Sequence, residues 1–168
     1  MLKIPHPVIY LCGPISGMRK DNRENFKRTE EFLIPHFPEY RFINPFREKE
    51  IFSSASCWCC QETCRHFDWR RTLLLRLATV RKADVLWLLG GFEQSLGCVM
   101  ELHAFIAGRE VEPMTAGKAL KAKGFAHTPT VVFPSNFRPD KFRIRGIDTA
   151  RGFQRYLFRA FELLPPGE

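Results

Sequence analysis

Short apolar runs alternate with longer stretches of helical spacing through most of the chain. Val8–Cys12 (VIYLC) reads as a buried strand ending at the turn Gly13-Pro14. Residues 24–35 follow with Phe26, Phe32 and Leu33 at helical spacing, and Asn22 is placed to cap that helix. Residues 41–44 (RFIN), before Pro45, predict a second strand. Residues 46–65 have no period and predict a long loop. Residues 66–82 carry Phe67, Leu73, Leu74, Leu77 and Val80, a helical pattern. Residues 84–89 predict a third strand stopped by Gly90-Gly91, and residues 95–107 a helix stopped by Gly108. Beyond it, Val111 opens a fourth strand and residues 116–123 a short helix. Thr130–Phe133 (TVVF) predicts a strand, and residues 150–164 an amphipathic helix.

Strands and helices alternating at this pitch predict a parallel sheet joined by helical crossovers, in one domain over residues 1–168. Phe26, Phe32, Phe105 and Phe158 are expected in its core. No apolar run approaches the roughly 18 residues of a membrane span. Pro5 and Pro7 interrupt any leader pattern, so a soluble cytoplasmic protein is expected, with no membrane partner. The formal net charge of +8 favours anionic partners, although a solvated basic face accounts for it equally simply.

Two segments suggest chemistry, because ligands of parallel sheets bind beyond the strands' carboxyl ends. The first runs from Gly13 through Ser16 and Gly17 to Arg19. Its glycines permit close backbone approach, Ser16 adds a hydroxyl and Arg19 a fixed cation. It lacks the Gly-Lys-Ser/Thr ending of a nucleotide-triphosphate loop. The second runs from Gly90 to Glu101. Ser95 sits where an N-cap belongs, and helix N-termini attract anions. Glu101 lies six positions on, among Leu, Val, Met, Phe, Ile and Ala. A carboxylate embedded there costs free energy unless it has a partner or a task, and burial raises its pKa. The alternative places Glu101 on a polar stripe beside Gln94 and Cys98. Asp84 either ties down the start of its strand or reaches the site.

Cys57, Cys59, Cys60, Cys64 and His66 crowd into ten residues. Their spacing matches neither a zinc finger nor a ribbon. They read as free thiols, with a metal site as the competing reading.

The stretches from Ile9 to Met18, Asn44-Pro45 and Ala83 to Glu101 together resemble the nucleoside 2-deoxyribosyltransferase-like superfamily, nearest a little-characterised phage and bacterial branch. The likeness covers about residues 8–110, leaving a basic extension over 111–168 and the cysteine-rich loop without counterpart. It implies a flavodoxin-like three-layer α/β sandwich with a five-stranded parallel sheet. It also implies cleavage or transfer at the N-glycosidic bond of deoxynucleosides or their 5'-monophosphates. Glu101 matches the family's nucleophile, and Asp84 and Tyr10 match further catalytic positions. Gly13, Ser16, Gly17, Arg19, Ser95 and Gly97 fall on the ligand-binding loops. Ser95 stands where the monophosphate N-hydrolases have their phosphate-binding Ser. The resemblance implies a small nucleotide ligand, a homodimer or higher homo-oligomer, and neither cofactor nor metal. Competing readings are a nucleotide-binding sensor without turnover, and a nucleic-acid-binding accessory protein using the basic residues 138–159.

Overall fold

The computed structural model describes residues 6–15, 22–47, 69–125 and 129–137, with the side chains of 69–73 left out. In chain order the elements are β1 (Val8–Cys12), α1 (Arg23–Leu33), β2 (Arg41–Ile43), α2 (Trp69–Val80) and β3 (Val85–Leu88). A 3-10 turn (Phe92–Gln94) leads into α3 (Leu96–Ile106), then β4 (Glu112–Thr115), α4 (Ala116–Ala122) and β5 (Thr130–Phe133). All five strands are parallel, in the order β2-β1-β3-β5-β4. The architecture is the expected flavodoxin-like α/β fold, with its last two strands exchanged relative to the usual 2-1-3-4-5 order.

Hydropathy accounts for that exchange. Every residue of β3 and β5 is buried, whereas β4 reads Glu-Pro-Met-Thr and buries only Met114. A strand covered on both faces must be apolar throughout, so TVVF takes the interior position beside β3. Pro113 lacks an N–H to donate and is tolerated because β4 is an edge. The opposite edge, β2, is three residues long and begins with the exposed Arg41.

Alternate side chains divide the core into two layers. Ile9, Leu11, Val85, Trp87 and Val132 pack with Phe26 and Leu33 of α1 and Ala119 of α4. Tyr10, Cys12, Leu86, Leu88, Val131 and Phe133 pack with Val80 of α2 and with Cys98, Val99, Leu102 and Phe105 of α3. Each fully buried Leu, Ile or Phe contributes about 1.5–3 kcal/mol of hydrophobic free energy.

Three local expectations are corrected, and one exposed residue was not anticipated. Phe32 is 53% exposed, its ring resting on His36 rather than in the core. Leu74 is 67% exposed, and Arg76 turns inward in the same helix. Asn22 occupies the N-cap position of α1 without a capping bond; its side chain instead donates to the Pro14 carbonyl at 2.7 Å. β2 stops at Ile43 because the Asn44 side chain accepts from the Phe46 N–H at 3.1 Å, which closes a turn. The cysteine-rich loop, Phe158 and the helix expected over 150–164 lie outside the described residues.

Candidate functional site

β1 has β2 on one side and β3 on the other, so the chain reverses its direction of winding between β1 and β3. Neighbouring loops diverge at such a point and leave a crevice beyond the carboxyl ends of the two strands. The Leu89 N–H donates to the Cys12 carbonyl at 2.8 Å, tying the strand ends together just below the loops. Gly13 is required there: a Cβ would lie 2.9 Å from Leu89 Cβ and 3.2 Å from the Phe26 ring. Gly91 turns the second loop with φ at +85°, a conformation that side chains disfavour.

Glu101 lies against the carboxyl end of β1, where Tyr10 and Cys12 meet it. Cys98, Glu101, Leu102 and Phe105 follow helical spacing and form the buried face of α3. The polar-stripe alternative is therefore excluded, because Glu101 is 3% exposed and points at β1. The Tyr10 hydroxyl donates to Oε1 at 3.0 Å and the Cys12 thiol donates to Oε2 at 3.0 Å. Alternation along β1 puts Tyr10 and Cys12, two positions apart, on the same face, so they grip the two oxygens of a single carboxylate. Arg76 of α2 brings its Nε to 4.0 Å from Oε1. The Cys12 thiol also lies 3.8 Å from the Cys98 carbonyl, and Cys12 Sγ, Cys98 Sγ and a Glu101 oxygen are all within 4.8 Å of one another.

Burial pushes the Glu101 carboxyl above its usual range. The Arg76 charge and the hydrogen bonds from Cys12 and Tyr10 pull it back, but less strongly. Burial also raises the Tyr10 hydroxyl, reinforced by the Glu101 charge. It raises the Cys12 thiol, reinforced by Cys98 and Glu101. Tyr10 and Cys12, both held above their ordinary values, serve as the donors to the Glu101 carboxyl.

The other expected residues divide. Ser95 caps α3, accepting from the Cys98 N–H at 3.4 Å, and is half-buried. Gly97 lies in the first turn of α3, where a Cβ would meet only Ser95 Oγ at 3.8 Å. Asp84 is at the opposite end of the sheet. Its carboxylate accepts from the Val8 N–H at 2.7 Å, and Arg109 approaches it there. The parallel register pairs Ile9 with Val85 and Cys12 with Leu88. At about 3.3 Å per residue, Asp84 is on the order of 13 Å below the crevice. The grouping of Asp84 with Glu101 is thus replaced by a role in tying β1 to β3. Ser16, Gly17, Arg19, Cys57, Cys59, Cys60, Cys64 and His66 lie outside the described residues.

Three members of the cluster were missed by sequence reasoning: Cys12, Cys98 and Arg76. Cys12 reads as one more apolar residue of β1. Arg76 carried a usable signal, since it lies four residues before Val80 and three after Leu73, within the apolar stripe of α2.

No known family, characterised protein or solved structure matches this chain.

Proposed function

We propose that this protein cleaves or exchanges the N-glycosidic bond of 2'-deoxynucleoside 5'-monophosphates, or of the free nucleosides, with Glu101 as nucleophile. The supporting observation is a buried carboxyl group, held at both oxygens by Tyr10 and Cys12, at the carboxyl end of β1 beside the β1–β3 switch point. The resemblance of the sequence around Tyr10, Ser95 and Glu101 to deoxyribosyltransferase-like enzymes points the same way.

The chemistry follows from the residue types. Glycosidic cleavage passes through a sugar carrying positive charge at its anomeric carbon, and an adjacent carboxylate stabilises or captures it. A Glu101 oxygen forms the bond to that carbon as the bond to the base breaks. The base departs with the electron pair and takes up a proton from solvent. Water, or a second base, then displaces Glu101 and restores the free carboxylate. Ser95 and the N-terminus of α3 would receive the 5'-phosphate, whose binding energy orients the sugar. Because Glu101 is 3% exposed, the reading requires the crevice to open over it when a ligand is admitted.

Incubating the protein with each deoxynucleotide and deoxynucleoside tests this directly. Release of free base, abolished by E101Q, is expected; no release from any of them overturns the proposal. The low exposure of Glu101 also favours a second reading, in which the carboxylate is purely structural and the protein binds nucleotide without turnover. Nucleotide binding without base release would select it.

A further inference from the structure

We propose that Cys12, Cys98 and Glu101 form a binding site for a thiophilic divalent cation of the zinc class. The three side chains come from two elements, with Cys98 and Glu101 one turn apart on α3 and Cys12 facing them from β1. Their donor atoms lie within 4.8 Å of one another, and Cys12 Sγ is already 3.0 Å from Glu101 Oε2. Tetrahedral zinc, with Zn–S of about 2.3 Å and Zn–O of about 2.0 Å, needs donors on the order of 3.5–4 Å apart. The cluster therefore closes on such an ion with shifts of about 1 Å. Both thiols are free and buried, and a pair of thiolates selects zinc-like ions over magnesium or calcium.

Charge favours the site as well. Empty, the site has the Arg76 guanidinium 4.0 Å from the Glu101 carboxyl. Loading a divalent ion releases the two thiol protons to solvent, and the two thiolates offset its charge. Loading therefore adds no net charge to the buried cluster, and buried net charge is the main cost of such a site. Proton release also makes loading weaken as the pH falls. Binding of this kind is independent of the glycosidase reading. Its consequence rests on that reading: a bound ion would occupy the Glu101 carboxylate and silence the nucleophile.

Co2+ is the probe, added to the full-length protein carrying C57S, C59S, C60S and C64S, so that Cys12 and Cys98 are the remaining cysteines. A thiolate-to-cobalt absorption band with the visible bands of tetrahedral cobalt is expected, displaced by Zn2+. Adding C12S or C98S should remove it and weaken Zn2+ by more than about tenfold, the lower end of what even indirect changes around a metal cost. A missing band in the parent variant, or one that survives C12S and C98S, overturns the proposal. E101Q in the otherwise natural chain gives a second readout, because it preserves the shape of the site. Zn2+ should raise the thermal midpoint of the natural chain more than that of E101Q, and equal shifts overturn the proposal. Neither result depends on base release, so the site and the proposed reaction fail separately.

Discussion

The Tyr10 hydroxyl of β1 donates to Oε1 of Glu101 on α3 at 3.0 Å, both groups buried and 91 residues apart in the chain. This bond anchors the centre of α3 to the strand that opens the crevice. Y10F deletes the donor and leaves a buried carboxylate oxygen without it. The expected loss is about 1–3 kcal/mol of folding stability, read by urea unfolding. A change within error would show that the bond contributes nothing net.

Stability should also depend on pH through Glu101. Its carboxyl is raised in the folded protein, chiefly by burial. The native state thus holds this proton to higher pH than the unfolded chain. The contribution is complete below the ordinary carboxylate pKa and is lost as pH rises through the raised one. The unfolding free energy of the natural protein, minus that of E101Q, should fall with rising pH across that window. A flat or rising difference would contradict the assignment.

Asp84 separates the family resemblance from the geometry. D84A removes the acceptor of the Val8 N–H and should cost about 1 kcal/mol in stability. Under the proposed function, nucleotide binding and base release should be unchanged, because Asp84 precedes β3 at the end of the sheet away from Cys12 and Leu88. Loss of turnover with intact folding would restore Asp84 to the site.

Gly13 sets the closeness of the two loops. In G13A the new methyl carbon would press on Leu89 Cβ at 2.9 Å. Overpacking there should cost about 1–3 kcal/mol and, under the proposed function, weaken nucleotide binding by parting β1 from β3. Differential scanning calorimetry and nucleotide titration measure the two effects.

Ser95 has a cap's role in the structure and a phosphate-binding role in the proposed reaction. S95A should cost about 1 kcal/mol through loss of the cap. Under the proposed function KM should rise by roughly tenfold for monophosphates, the loss of one charge-assisted hydrogen bond, and stay constant for free nucleosides. Equal changes for both substrates would confine Ser95 to capping.

The sequence by itself determined the strands and the principal helices. Parallel strands are buried on both faces, so VIYLC, VLWL and TVVF stand out as unbroken apolar runs. It also singled out Glu101, because a carboxylate within an apolar helix is conspicuous. What the sequence could not determine was which way that helix is rotated, and hence whether Glu101 faces solvent or β1. Phe32, expected in the core, is exposed for the same reason: helical spacing defines a stripe, but packing decides which residues at its margins are covered. The partners Cys12 and Arg76 approach Glu101 only when β1, α2 and α3 are assembled. The register of β1 against β3 likewise sent Asp84 to the opposite end of the sheet. Local patterns record the hydrophobicity of each segment, whereas a site joins atoms from distant segments, and only tertiary packing decided which atoms those are.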